Sequence, residues 1–413
     1  MGGFAVEERK NIYTEDAECA GVTENGAERT RIAGYSGEGG VPGMSHFRRD
    51  EYGKRNYSVA VQENVLVSSV AAEAIALDGI GFGERVGREI SAAWAACGMF
   101  EFVALSYLGF SAALIALFAE NLAHPFRLIG TQAFVAAVIL VLCGVEARVA
   151  ERAEWSDGAG RKTDRNVCRT LSHRFWHFWR FWYPHLFFLF CFEEMGRLAH
   201  LVQPGWQDAK LIAFDHWLTG VNPSLWIERF AHPALNEFMQ FAYFSYFLFL
   251  LILGAILYYR REWGSYWAVM TYSAVGYALG YVIAMVFPVQ SPWFAFAGMW
   301  HGELAGGPFT AAINLIEKCG RVHGAAFPSQ HVAGAMAALW GAWRHRRWLF
   351  WVFLPFVICM CISTVYVRNH YVADVFGGLI TGTLGYFIGG WLIRRRAAAR
   401  DGRAQTEVCG TTI

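Results

Sequence analysis

Charge is what this chain has least of. Asp, Glu, Lys and Arg make up 17% of its 413 residues, where a soluble globular chain carries about 25%. The net charge is only +1, so no excess of positive charge exists to hold a polyanion, and no nucleic-acid partner is expected. No run alternates apolar and polar residues as a pore-lining strand does, which argues against a membrane barrel. Residues 1–60 are polar, Gly-rich and without an apolar stretch, so no cleaved signal peptide is expected there. Val6 stands where N-myristoylation wants Ser or Thr. The nine cysteines lack pairable positions. Cys97, Cys143, Cys191, Cys359 and Cys361 fall in apolar runs, and Cys19, Cys168 and Cys409 fall in segments assigned below to the cytoplasm. Cys319 alone lies in an outer loop, so no structural disulfide is expected. Cys359 and Cys361 have no second pair to complete a zinc site.

What the chain does have is apolar sequence: 55% hydrophobic and 16% aromatic residues. Runs near the length that crosses a bilayer core of about 30 Å recur along it. The expected fold is all-α, a polytopic helical membrane protein with eight spans, at 94–118, 126–146, 181–202, 235–258, 265–287, 329–343, 348–367 and 374–393. Basic residues orient them. Arg148, Arg152, Arg161, Lys162, Arg165, Arg169, Arg174 and Arg180 follow the second span. Arg260 and Arg261 follow the fourth, Arg344, Arg346 and Arg347 the sixth, and Arg394–Arg396 the eighth. All fall on the side of the N-terminus, so both termini are expected in the cytoplasm. The organisation read from this is a disordered cytoplasmic tail over 1–60 and a short amphipathic helix within 61–90. Two membrane helices and a basic loop follow over 91–180, then a membrane domain over 181–395 and a cytoplasmic tail over 396–413. The aromatic run Phe175–Tyr183 reads as an interfacial belt with snorkelling arginines. His173 and His177, one turn apart within it, would also suit a metal or haem, but no cysteine motif supports that.

Two short motifs carry chemistry, both on the outer side of this topology. In Phe327-Pro328-Ser329-Gln330-His331, Pro328 and Ser329 mark a helix start. Free N–H groups and the positive dipole end make such a start a seat for phosphate. His331, in the first turn, can pass a proton to a bound phosphoester, although an interfacial histidine reads the same way. In His370-Tyr371-Val372-Ala373-Asp374, Asp374 lies one turn from His370. A carboxylate heading an apolar run is costly unless paired. Its ordinary role is a helix cap; its chemical one is to hold one imidazole nitrogen so that the other is nucleophilic. The sixth and seventh spans, joined by the turn Arg344–Arg347, form an antiparallel pair that brings His331 and His370 to one depth. Two imidazoles and an acid at one membrane surface suit phosphoryl transfer through a histidine.

These motifs resemble the type 2 phosphatidic acid phosphatase superfamily over about half the chain, residues 180–395. The family's Pro-Ser-x-His matches 328–331. Its Ser-Arg-x5-His-x3-Asp matches Ser363, His370 and Asp374, with Thr364 in the arginine's place. Its Lys-x6-Arg-Pro is missing at Met285–Trp293. These departures, together with Phe214-Asp215-His216-Trp217-Leu218, Asn222–Trp226, Tyr243 and Tyr246, are similar to the branch holding fungal inositol phosphorylceramide synthase and its bacterial relatives. The resemblance implies a six-helix catalytic core within 181–395. It implies that His370 attacks phosphorus, Asp374 orients it, and His331 serves the leaving and entering oxygens. It also implies a phospholipid substrate in the bilayer, a hydroxyl acceptor (water in a phosphatase, a lipid or sugar in a transferase), and no metal or other cofactor. Ser329 and Gln330 are expected at the substrate. Lys318, Arg321, His323 and Arg368 are the candidates for the missing positive charge, Arg368 first because it lies two residues before His370. The competing reading is a non-catalytic lipid-binding or transport protein. Glu193, Glu194 and Arg197 either pair among themselves or line a headgroup cleft, and Asp215 and His216 have no assigned role.

Overall fold

The computed structural model describes residues 82–158 and 164–410. The tail at 1–60, most of the 61–90 segment, and Cys19 lie outside the described residues, as do the side chains of Cys168, Cys319 and Cys409. Among the described residues the secondary structure is helical and no strand forms beyond one isolated bridge between Val289 and Ala325. In chain order the helices are α1 (Phe82–Ala96), α2 (Met99–Leu117), α3 (Pro125–Gly158), α4 (Asp164–Leu198) and α5 (Asp208–Thr219). There follow α6 (Pro223–Ile227), α7 (Pro233–Phe244), α8 (Tyr246–Tyr259), α9 (Trp263–Val286) and α10 (Pro292–Ala295). The last four are α11 (Pro308–Gly320), α12 (Gln330–His345), α13 (Arg347–Tyr366) and α14 (Val372–Gly410). The protein is an all-α membrane protein.

Six stretches are long and apolar enough to cross a bilayer: α2, Pro125–Glu146 in α3, α7 with α8 as Pro233–Tyr259, α9, α13, and Val372–Ala399 in α14. The other two expected spans are helical too, but neither meets that measure. α12 has only 16 residues, because Ser329 caps one end and the basic turn at Arg344–Arg347 closes the other. α4 is long enough, but Arg180, Glu193, Glu194 and Arg197 lie along it and Pro184 interrupts it. The α7–α8 span breaks at Ser245, whose hydroxyl donates to the Ala242 carbonyl, 2.6 Å away; such back-bonding bends helices.

Helix α9 is the hub, with 72% of its apolar window buried. It packs against α14, α12 and α2. Helix α14 closes on α12 through glycines. A Cβ on Gly378 would lie 2.7 Å from that of Val332, and one on Gly382 would lie 2.8 Å from that of Met336. Only hydrogen at both positions permits this approach. It matters because Asp374 heads α14 and His331 heads α12.

Helices α2 and α3 pack on α4 and, through α2, on α9. Buried charge is paired here. Arg180 forms a 2.7 Å ion pair with the fully buried Glu101, and the Tyr183 hydroxyl donates to the same carboxylate at 2.6 Å. Arg180 also lies over the Trp267 ring, 4.1 Å from its centroid. Paired, hydrogen-bonded and stacked in this way, such a charge is tolerated where a lone charge would not be. Nearby, His177 stacks on Phe181 and meets Trp263 edge-on, as part of the aromatic belt.

Candidate active site

The site lies where the first turns of α12 and α14 meet. Ser329 caps α12, its hydroxyl accepting from the Val332 N–H. Its own N–H donates to the Asp374 carbonyl at 3.0 Å, which pins the two helix starts together. His331 Nδ1 then stands 3.2 Å from His370 Nε2. His370 is 4% exposed and Asp374 fully buried.

The proton positions in this chain follow from its one fixed member. His370 Nδ1 faces the Ala326 carbonyl at 3.0 Å and Asp374 Oδ2 at 3.3 Å. A carbonyl only accepts, so Nδ1 carries the hydrogen and Nε2 keeps its lone pair. That lone pair accepts from His331 Nδ1–H. The Nε2 of His331 is then bare and accepts from the Tyr243 hydroxyl, 2.9 Å away. Asp374 Oδ2 also accepts from the Tyr371 N–H at 2.8 Å, and its Oδ1 has no protein partner. Burial, and then the neighbouring His331, lower the pKa of His370 well below the ordinary imidazole value, so it is neutral at physiological pH.

The outer helices brace this turn. Asp215, in α5, accepts from the Val372 and Ala373 N–H groups, both at 2.9 Å. It therefore caps α14 from another element. Asp208 accepts from the Tyr371 hydroxyl at 2.8 Å and the Gln290 N–H at 3.1 Å. Burial raises the pKa of both carboxyls, and these hydrogen bonds oppose the shift. The segment that lacks the Lys-x6-Arg-Pro pattern runs alongside, with the Trp293 N–H donating to the Arg368 carbonyl.

The candidate cations part company. Arg368, favoured from its position, adopts a left-handed backbone with φ 67°. Its guanidinium is committed to Glu228 and the Gly302 carbonyl, each at 2.8 Å, and stacks on Trp300. It does not line the cavity beside the histidines. Lys318 is exposed and does not line it either. Arg321 does. It pairs with Glu317 through Nη2 and lies over Trp293, 4.5 Å from the ring centroid, while its buried Nη1 has no protein partner. His323 contacts Phe294 and Trp206.

That cavity holds about 620 Å³. Gln330, His331 and His370 stand at its polar end with Glu193, Glu317, Arg321 and Asn369. The Asn369 amide donates to Glu317 at 2.6 Å. From there the cavity runs between α4 and α8 along Phe192, Leu189, Phe247 and Leu250. Leu186 and Leu189 are more than half exposed on its flank. Glu193 faces the cavity, whereas Glu194 turns the other way and accepts from Gln132 at 2.9 Å. Of the alternatives read from the sequence, lining the cleft is realised by Glu193 alone, and neither acid forms an ion pair with Arg197. Gln330 packs against Gly280, its amide nitrogen 3.3 Å from the Pro328 carbonyl. Among the described residues no three His, Cys, Asp or Glu side chains form a metal-ligand group.

Sequence reasoning missed Ala326, Asn369 and the bracing role of Asp208 and Asp215. A backbone carbonyl leaves no signal in a sequence. Asp215 in a loop looks like any solvated acid until the fold delivers two N–H groups to it.

A helical membrane bundle with two facing imidazoles, one held by an acid and both opening on an apolar cavity, defines a class: membrane proteins equipped for phosphoryl chemistry. Residues 209–388 match the family model of the PAP2 superfamily, so this part of the chain is similar to PAP2-superfamily domains. The match ends in α14 and includes the histidine pair, Asp374 and Asp215, while Asp208 lies just before its start. No curated protein and no solved structure matches the chain.

Proposed function

We propose that the protein is a lipid phosphotransferase similar to inositol phosphorylceramide synthase. It would move a phospho-headgroup between lipids through a phosphohistidine, at a site facing away from the cytoplasm. The observation that carries this reading is the one-way hydrogen-bond chain from Tyr243 through His331 to His370. It leaves a lone pair on His370 Nε2 at the polar end of the cavity, held in the resting site by His331 Nδ1–H. In the first half-reaction Nε2 attacks phosphorus and the bond to the departing oxygen breaks. A bound phosphate's negative charge favours a second proton on His331, whose Nδ1–H leaves His370 Nε2 for the departing oxygen as the phosphorus bond forms and supplies its proton. In the second half His331 takes the proton of the acceptor hydroxyl, whose oxygen attacks phosphorus and frees His370. Asp374 and Ala326 hold Nδ1–H throughout. The free Nη1 of Arg321 and the N–H groups heading α12 meet the phosphoryl oxygens.

Two features favour a transferase over a phosphatase. One cavity-facing guanidinium suits a phosphodiester, which carries less charge than a monoester. Glu193, Glu317 and Asn369 form a polar rim fit to hold a hydroxyl-bearing acceptor. The test uses purified protein in mixed micelles with a phospholipid labelled in its headgroup phosphate, with and without a hydroxyl acceptor. Label is expected in a new lipid and, after acid-free quenching, on the protein. Label released only as the water-soluble phosphorylated headgroup would make water the acceptor. His370→Ala is expected to abolish both signals, a loss of about a thousandfold or more in rate. Undiminished turnover in that variant would overturn the assignment of the nucleophile.

A further inference from the structure

Charge at the polar end of the cavity does not balance. Two carboxylates, Glu193 on α4 and Glu317 on α11, line it with one guanidinium, Arg321. Glu317 and Arg321 neutralise each other as an ion pair, and Glu317 also accepts from the Asn369 amide at 2.6 Å. The histidines add no charge in the resting site, because a single Nδ1–H on each completes the chain from Tyr243 to Ala326. Glu193 is left without a counter-charge. It is exposed, and among the described residues no hydrogen bond or ion pair engages its carboxylate. Arg197, one turn along α4, does not line the cavity. A site built to receive a phosphate thus holds an unpaired acid at its edge, and like charges brought together there repel.

The position of Glu193 says what could relieve this. Along α4 the cavity wall runs from Leu186 and Leu189 on the apolar arm to Phe192 and then Glu193. The Phe192 ring lies 6.2 Å from that of His331, so Glu193 follows at the level of the reacting histidines, on the side away from the apolar arm. Its Oε1 lies against Gly320, 3.0 Å from where a Cβ there would stand, beside the Arg321 end of α11. A lipid with its chains along Leu186 and Leu189 and its phosphate at His370 and Arg321 turns the headgroup of its phosphodiester toward Glu193. We propose that this headgroup carries a primary ammonium, as phosphoethanolamine does, and that Glu193 holds it. A cation there is attracted by the carboxylate and by the phosphodiester at once, whereas an uncharged headgroup such as inositol leaves the two anions facing each other. An ammonium N–H also donates to a carboxylate. A quaternary ammonium has no such donor and depends on an open aromatic face, and the Trp293 face at this end is covered by Arg321. The inference rests on the proposed transfer at this same site and names the class of headgroup moved.

Short-chain phosphatidylethanolamine, phosphatidylcholine and phosphatidylinositol with identical acyl chains test it. Binding is measured by calorimetry on the His370→Ala protein in detergent. The ethanolamine lipid is expected to bind about tenfold more tightly than the inositol lipid, with the choline lipid between them, and high salt should shrink that ratio. In Glu193→Gln, which keeps the shape and loses the charge, the ratio should fall to near one. In Glu193→Lys it should invert. Equal binding of the ethanolamine and inositol lipids with Glu193 in place, or a preference that survives Glu193→Gln, overturns the proposal. The acceptor is the other source of an ammonium, so a long-chain amino alcohol is titrated as well. If Glu193→Gln weakens its binding and leaves that of the ethanolamine lipid unchanged, the headgroup assignment is overturned. Because binding is read on a protein without the nucleophile, a protein that prefers the ethanolamine lipid yet turns over no lipid when His370 is present would refute the transferase proposal and leave this one standing.

Discussion

Tyr243 shows how much of the chemistry turns on single atoms. Among the described residues its hydroxyl is the hydrogen-bond partner of the outer nitrogen of His331, and the distance of 2.9 Å is that of a full hydrogen bond. Without it, the outer nitrogen of His331 has no donor to hold it, and only the contact with His370 still positions the imidazole. Tyr243→Phe is therefore expected to lower kcat by about ten- to a hundredfold with little change in KM, as steady-state kinetics on one lipid substrate would show. His370 gives a second expectation. Burial and then His331 hold its protonated form down, opposed only by the hydrogen bond to the Ala326 carbonyl. A nucleophile must be unprotonated, and a free imidazole would lose half its activity near pH 6.5. Here kcat/KM should stay level as pH falls through that value and decline only well below it. A decline centred near pH 6.5 would mean that the nucleophile is solvated and not held as described.

Helix starts do the positioning. Asp215 supplies the cap that α14 does not provide for itself, since the residue before Val372 is a tyrosine with its own hydroxyl engaged by Asp208. Asp215→Ala leaves the Val372 and Ala373 N–H groups without their acceptor. The expected loss is about 1–2 kcal/mol of stability, seen as a lower midpoint in thermal unfolding in detergent, together with reduced turnover because His370 sits in the same turn. The α12–α14 contact is set by absence of side chains. Gly378→Val would drive two methyl groups into Val332 and the Ser329 carbonyl. Overpacking of this kind costs about 1–3 kcal/mol and must separate the helix starts. Loss of turnover is expected to exceed what the change in unfolding midpoint accounts for; full activity in this variant would show that the two helices need not approach so closely.

Across the whole molecule, the membrane solvent explains which parts of the fold could be read in advance. Apolar length is a one-dimensional property, and a bilayer demands it wherever a helix meets lipid. Spans at α2, α3, α7–α8, α9, α13 and α14 were therefore plain. α12 and α4 were harder because they are sheltered by other helices and can carry charge or be short. α12 nonetheless declared itself through Pro328 and Ser329, the local chemistry of a helix start. Of the site, His331, His370 and Asp374 were legible because a buried charge or imidazole at the end of an apolar run is costly without a purpose. Arg368 misled, since two residues of sequence separation say nothing about which way a left-handed turn aims a side chain. Arg321, 49 positions from His370 in the chain, reaches the cavity because α11 folds back over it.

By itself the sequence determined that this chain is helical, that it lives in a membrane, and that three polar residues stand at the ends of apolar runs. Those are consequences of hydropathy and local backbone chemistry, which act over a few residues at a time. The tertiary structure alone decided that Ala326 orients His370 and that Tyr243 completes the proton chain. It also decided that Asp215 caps a distant helix and that Arg321 and not Arg368 faces the cavity. Each of these is a meeting of groups far apart in the chain, and distance in space is set by packing, which no local pattern encodes.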